Sequence, residues 1–215
     1  MKIAILTVST PNRKTLYELT NKTKEKFAAE NNVDFVFSDT FKEEIGWNRH
    51  PYWLKVLFVK KYISDYDAVL LIDDDAGFVK FKFDFQSFIE HLDKPFYVTE
   101  DEGGINSGVI LFKNCPESKQ FIDFWTSAAY DPKFQFRNFD QEFVIAFFKQ
   151  FPNIGGILDG KIFNAHHPSF EQKDAKNAFD EQQTLIVHIA GGPWRKDELY
   201  KSGEIYKIFG IQQNS

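Results

Sequence analysis

The apolar run Val69-Leu70-Leu71-Ile72 passes directly into Asp73-Asp74-Asp75, and Ala76-Gly77 follow. Such a run reads as a buried strand. Three carboxylates at its end carry a desolvation and repulsion cost that something positive must offset, usually a divalent cation. Side chains alternate along a strand, so Asp73 and Asp75 are expected to point one way and Asp74 the other. Two acids on one side of a sheet end make a hard-oxygen metal site, suited to a cation that carries phosphates. The competing reading is an acidic turn open to water, because Asp-rich turns are common.

The flanking sequence sets that strand in an α/β frame. Residues 2–8 read as a buried strand, and Pro11 is placed to open a helix running to about residue 31. Val33 to Phe37 reads as a second strand, residues 40–50 as loop, and Tyr52 to Ser64 as a helix with Leu54, Leu57, Phe58 and Tyr62 at helical spacing. After the acidic run, Phe81 to Phe85 alternates, Phe88 to Leu92 looks helical, and Phe96 to Thr99 reads as a strand. Residues 103–108 read as a glycine loop leading into the strand Val109 to Phe112. Helices are expected over about 116–130 and 139–151, a hairpin or strand pair over 154–163, and loop over 164–182. Leu185 to Ile189 reads as a last strand, followed by a helix ending near Phe209. Alternating strands and helices predict a mostly parallel central sheet with helices on both faces. In such sheets ligands bind at the carboxyl ends of the strands. Ser9, Asp39, Asp73 to Asp75 and His188 all fall at or near such ends, which is the bottom-up argument for a site there.

Composition narrows the function classes. The 215 residues are read as one domain spanning 1–215, with 25 phenylalanines fitting a well-filled core. A net charge of −5 argues against broad attraction to nucleic acid or anionic membranes, and leaves room for a local basic site for a diphosphate. Cys115 is the single cysteine, which excludes an internal disulfide and a cysteine zinc cluster and fits a reducing compartment. The N-terminal apolar run is too short for a signal peptide and no segment reaches the length of a membrane span. The expectation is a soluble, cytoplasmic protein.

Further motifs stand in a fixed order around the acidic run. They are Trp53-Leu54-Lys55, Asp73-Asp74-Asp75-Ala76 as a DxD motif, Gly104-Ile105-Asn106-Ser107-Gly108-Val109, Asp140-Gln141, Phe163-Asn164, and His188-Ile189-Ala190-Gly191-Gly192. In that order, over roughly residues 1–200, the chain resembles the nucleotide-sugar-dependent glycosyltransferases of the GT-A fold, and within them glycosyltransferase family 34, the galactosyl/mannosyl/xylosyl transferase group. The resemblance implies a metal-dependent retaining glycosyltransferase that moves a sugar from a UDP-sugar donor to a glycan or glycoprotein acceptor. It implies Asp73, Asp75 and His188 as ligands of Mn2+, with Mg2+ the alternative; an imidazole beside carboxylates favours manganese. A hydrogen-bonded histidine at a strand end is the bland reading of His188.

The same resemblance assigns the nucleotide-sugar contacts. Thr7, Val8, Ser9 and Asp39 would frame the nucleoside, Asp73 would also meet the ribose, and Asp74 would be a further nucleotide-sugar contact. Gly191 and Gly192 would let backbone approach a phosphate, and Lys196, with Arg195 as competitor, would balance the diphosphate charge. The alternative there is a Gly-Pro turn with solvated basic residues. Lys55 would reach the nucleotide or sugar, or else is a surface lysine. Asn106 and Ser107 would hydrogen-bond the sugar, or belong to a plain hairpin loop. Asp140 and Gln141 would face the anomeric carbon as the catalytic pair, with a helix N-cap the alternative for Asp140. His166-His167-Pro168 reads as an acceptor-side loop, since adjacent residues rarely converge on one ion. Trp47, Tyr52 and Trp194 would stack on sugars or serve as buried anchors.

Two departures stand out. Members of the family in eukaryotic secretory organelles carry a membrane anchor and stem, which this sequence lacks, and Gly192 stands where the family often has cysteine. A short version of this kind resembles bacterial enzymes or those of large DNA viruses. Two other classes compete: a non-catalytic sugar-nucleotide or glycan-binding module, and a phosphatase of the haloacid dehalogenase type. The phosphatase needs its first aspartate near the N-terminus with Thr or Val two residues after the second, whereas here the run sits at position 73 with Ala76-Gly77 behind it.

Overall fold

The structure is a computed structural model that describes residues 1–134, 139–166, 177–189, 201 and 203–211. Its centre is a sheet built from β1 (Ile3–Val8), β2 (Asp34–Ser38), β3 (Ala68–Ile72), β5 (Phe96–Asp101), β6 (Gly104–Lys113) and β7 (Gly156–Leu158), in the order β2-β1-β3-β6-β5-β7. β1 pairs in parallel with β2 and β3, and β5 in parallel with β7; β6 lies antiparallel between β3 and β5. Every strand but β6 therefore runs the same way, which is the mostly parallel sheet the sequence predicts.

Both faces of the sheet are covered. In β3 all five residues are buried, which is why its sequence is continuously apolar rather than alternating. Val69 and Leu71 join the core beneath α3 (Leu54–Tyr62), α5 (Pro116–Tyr130) and α6 (Phe139–Gln150), with Trp53, Phe58, Phe121 and Trp125. Ala68, Leu70 and Ile72 face the other core, with Phe27 of α1 (Lys14–Asn31), Phe85 of α4 (Phe85–His91) and Phe163 of α7 (Gly160–Phe163). The phenylalanines sit mostly in these two cores, Phe27 stacked on Phe78 and Phe96 on Phe121.

A small second ribbon decides where the site forms. β4 (Ala76–Phe78) pairs antiparallel with β8 (Ile186–His188), setting Ala76 opposite His188. Ile189 N–H donates to the Asp75 carbonyl at 2.9 Å. The chain thus leaves β3, turns through the three acids, and at once pairs with a strand more than a hundred residues away.

Several local expectations differ from the structure. Residues 104–108 are not loop but the first half of β6, in a tight hairpin with β5; Gly104 takes φ +101°, which only glycine adopts without strain. The small residues there pair through backbone, so low strand propensity does not prevent the ladder. Residues 154–163 form no hairpin: the short β7 is followed by α7, which Asp159 caps by accepting from Lys161 N–H. The alternating stretch Phe81 to Phe85 leads into α4, whose N-cap is Asp84, and Phe81 and Phe83 pack against the same core as Phe85. Residues 40–50 include one helical turn, α2 (Phe41–Glu44), and the C-terminal helix is α8 (Glu204–Ile208). Among the described residues no helix is long and apolar enough to cross a membrane.

Candidate active site

The acids do not continue β3 as an alternating strand. They form a turn in which Ala76 N–H donates to the Asp73 carbonyl at 3.2 Å, while Asp73 N–H donates to Gly108 O at 2.8 Å. The turn still separates the side chains as expected, for a different reason. Asp73 and Asp75 converge with His188, one ligand atom from each lying within 4.8 Å of the others. Asp74 goes elsewhere: both its oxygens are taken by Arg13, from Nε and Nη2, and Ser9 Oγ donates to one of them.

His188 is held on both ring nitrogens. Its Nδ1 lies 2.8 Å from Asn164 Oδ1 and its Nε2 3.1 Å from Asp75 Oδ1. An amide oxygen can only accept, so Nδ1 carries the proton. In the neutral ring Nε2 then offers a lone pair toward a carboxylate oxygen, an arrangement that needs a proton or a metal cation between the two. Metal–oxygen and metal–nitrogen bonds of about 2.0–2.6 Å fit this spacing, and the Asn164 contact is the outer partner that ligating histidines usually have. The residues present therefore fit a divalent cation. The ring lies close against Gly108, where an added Cβ would come 2.3 Å from His188 Cε1 and 2.8 Å from Nδ1. The near neighbour of Gly108 is thus the imidazole.

Lys55 joins the acids to the catalytic candidates. Its Nζ lies 2.8 Å from Asp73 Oδ1 and 3.1 Å from Asp140 Oδ2, and donates to Ser107 O at 3.2 Å. It is buried, not a surface lysine. Burial works against its charge, yet Asp140 and Asp73 outweigh that and hold its pKa above the ordinary lysine range. Burial raises the Asp73 carboxyl above its usual range, against the pull of Lys55. Asp140, in the first turn of α6, accepts from Ser107 Oγ at 2.7 Å, and Gln141 Oε1 lies 3.4 Å from Ser107 N. Its carboxylate is thus aimed into the cluster. Asn106 spans the hairpin, donating to Asp101 and accepting from Gly108 N–H.

The nucleoside candidates have internal partners. Thr7 Oγ1 donates to Ile72 O, Ser9 to Asp74, and Tyr17 OH to Asp39. Trp47 is buried against Tyr130, and its indole N–H donates to His50 O; Tyr52 is half exposed beside the His50 ring. Gly191, Gly192, Trp194, Arg195, Lys196, His167 and Pro168 lie outside the described residues.

Two cations were not singled out from the sequence. Lys24, fully buried in α1, donates to the Asp73 carbonyl at 3.0 Å, while Thr20 Oγ1 donates to the Asp74 carbonyl at 2.6 Å. Burial pushes the Lys24 ammonium down to about 8, against the pull of the three aspartates. Arg13 ends the 3-10 turn that opens α1. The available signal for Arg13 was a guanidinium and an ammonium at a helix start with no acid in its first turn, against the helix dipole.

The sequence profile of the galactosyl transferase GMA12/MNN10 family matches residues 67–198, which include the acidic turn, the hairpin, Asp140 and His188. The chain belongs to this family. As a GMA12/MNN10 member it is a glycosyltransferase. It is 28% identical over 110 residues to the probable alpha-1,2-galactosyltransferase gmh2 of Schizosaccharomyces pombe, a match spanning 48% of this chain and 30% of the relative. This GMA12/MNN10 chain also shares the GT-A fold of solved glycosyltransferases. One is a glycosyltransferase involved in glycosylation of the major capsid of PBCV-1 (TM-score 0.72, 15% identity, 94% of this chain and 100% of that one). Another is the galactosyltransferase LgtC in complex with donor and acceptor sugar analogs (TM-score 0.60, 15% identity, 99% and 97%). A third is GlyE of Streptococcus pneumoniae TIGR4 (TM-score 0.61, 13% identity, 100% and 66%).

Proposed function

We propose that this glycosyltransferase is metal-dependent, uses a UDP-sugar, and transfers the sugar with retention of configuration to a glycan or glycoprotein acceptor, within one GT-A unit over residues 1–215. The observation that carries the reading is the convergence of Asp73, Asp75 and His188 beside the linked pair Lys55 and Asp140. Asp73, Asp75 and His188 would hold Mn2+ or Mg2+, which when bound neutralises the diphosphate as it leaves. Thr7, Ser9, Asp39 and Asp74 are the nucleoside-side residues in this reading, with Gly191, Gly192 and Lys196 toward the phosphates.

The chemistry of the remaining groups follows from their charges. Asn106 and Ser107 present amide and hydroxyl groups of the kind that bind sugar hydroxyls. The buried Asp140 carboxylate, with the Gln141 amide beside it, is suited to stabilise positive charge developing at the anomeric carbon. Lys55, 3.1 Å away, pairs with that carboxylate and orients it. The anomeric C–O bond to the diphosphate breaks, a new one to the acceptor oxygen forms on the same face, and the acceptor hydroxyl's proton passes to the departing diphosphate oxygen.

The test is a pair of variants. Asp75→Ala is expected to abolish both Mn2+-dependent UDP binding and sugar transfer. Asp140→Ala is expected to leave UDP binding within about threefold while transfer falls by roughly a hundredfold or more, as when a group stabilising transition-state charge is removed. Unchanged UDP affinity in Asp75→Ala would refute the metal assignment. Slow metal-dependent hydrolysis of a UDP-sugar without acceptor separates an enzyme from a binding module.

A further inference from the structure

Arg13 stands inside the acid cluster. Its Nε and Nη2 hold both oxygens of Asp74 at 2.5 Å, and Nη2 lies 3.3 Å from Asp75 Oδ2, while the other Asp75 oxygen faces His188. Asp74 is 7% exposed, and Ser9 donates to it as well, so its carboxylate is fully engaged within the protein. The same cluster gathers Asp73, Asp75 and Asp140 with the Lys55 ammonium, and Lys24 stands behind the turn on the Asp73 carbonyl. Four carboxylates thus have two cations in contact and a third close behind, and the remaining charge deficit is small.

We propose that Arg13 is an internal counter-cation that keeps the acid cluster close to neutral before ligand arrives, so that a divalent cation binds weakly alone and tightly only together with a nucleotide diphosphate. The inference rests on the donor reading above. A divalent ion held by Asp75 would lie near the guanidinium that shares the same carboxylate, and like charges repel. A diphosphate brings negative charge to the ion, and with it the guanidinium turns from a repelling neighbour into an attracting one. Metal and nucleotide affinities are then coupled, each raising the other by the same factor. A purely structural role for Arg13, tying the start of α1 to the turn, predicts no such coupling. The pairing also accounts for a basic residue placed against the helix dipole, a local cost that functional sites commonly carry.

The experiment is a Mn2+ titration followed by the electron paramagnetic resonance of the free ion, with and without UDP, on wild type and four variants. Circular dichroism checks that each variant is folded. In wild type UDP is expected to raise Mn2+ affinity at least about tenfold. Arg13→Gln is expected to bind Mn2+ alone about tenfold more tightly, with the gain from UDP correspondingly smaller. Arg13→Lys keeps the charge and should stay within about threefold of wild type. Asp74→Asn is expected to weaken metal binding about tenfold, although Asp74 lies outside the metal ligands, and Arg13→Gln added to Asp74→Asn should restore it. Where the Arg13→Gln variant fails to fold, that restoration alone decides the matter, because the double variant leaves no buried carboxylate without a partner. Metal affinity unmoved or weakened by Arg13→Gln, or no restoration in the double variant, overturns the inference while leaving the donor reading intact. A wild type that takes up no Mn2+ even with UDP overturns both.

Discussion

Lys24 and Lys55 are both buried and both reach the acidic turn, yet their environments push them in opposite directions. Lys24, behind the turn, meets dipoles: the Asp73 carbonyl at 3.0 Å, and the Thr20 hydroxyl and Asn21 amide oxygen at longer range. Burial wins, and its pKa falls to about 8. Lys55, in front, meets two carboxylates near 3 Å, and its pKa stays above the ordinary lysine range despite burial. Dipoles offset only part of the cost of taking a charge out of water; full opposite charges in contact exceed it. The back of the turn is therefore scaffold, and the front is an electrostatic assembly whose members depend on one another. The glycines follow the same division: Gly108 lies against the His188 imidazole, and Gly77 against Thr23 and Phe209.

The contrast predicts the largest effect at Lys55. Lys55→Ala strands Asp140 and Asp73 without their cation, and is expected to cost about 3–5 kcal/mol and to abolish transfer. A urea midpoint close to wild type would break the distinction between front and back. Next comes Gly108→Ala, whose methyl must displace the imidazole. Mn2+ affinity measured with UDP is expected to fall at least about tenfold, with a stability loss of about 1–3 kcal/mol. If the metal affinity of this variant stays put, His188 is not a ligand in the position described.

Gly77→Ala should show the reverse pattern. An added Cβ would lie 2.7 Å from Thr23 Oγ1 and 2.8 Å from Phe209 Cε1. Stability is expected to fall by about 1–3 kcal/mol while the folded protein keeps Mn2+ affinity within about threefold. The smallest effect belongs to Lys24→Met, within about 1 kcal/mol at pH 7, because the lost hydrogen bonds and the relieved burial of charge oppose each other. Its signature is pH dependence. The folded pKa of Lys24 lies near 8, below the ordinary 10.5, so the unfolded chain binds the proton more tightly and stability rises with pH across that window. Wild type should gain up to about 2 kcal/mol relative to Lys24→Met between about pH 7 and pH 9.5. Parallel stability curves for the two proteins would mean that Lys24 is not buried as described.

Much of this was readable from residues alone, and the failures have physical causes. The apolar run before the acids identified β3 and its burial on both faces, because only a strand covered on both sides tolerates such a sequence. Helices α1 and α3 followed from proline starts, α3 also from helical spacing, and α5 and α6 lie where helices were expected over about 116–130 and 139–151. β8 lies within the strand read at Leu185 to Ile189, whereas β4 and β7 have three residues each, too short to give a period, and exist because a partner strand lies alongside. The hairpin over 104–108 was read as loop because glycine and asparagine disfavour strands, yet the ladder with β5 holds them extended. Arg13 and Lys24 were passed over because a basic residue on a long helix usually faces water.

The order of chemical groups, the apolar and acidic pattern of β3 and the family motifs are properties of the chain itself, since each depends on neighbours in sequence. Which acid joins which partner is not. Asp73 and Asp75 meet His188 because the ribbon of β4 and β8 sets Ala76 opposite His188, and Asp74 turns to Arg13 because the start of α1 lies beside the turn. Those contacts join positions far apart in sequence, and charge interactions weaken with distance and solvent rather than with sequence separation. Only the folded chain could decide them.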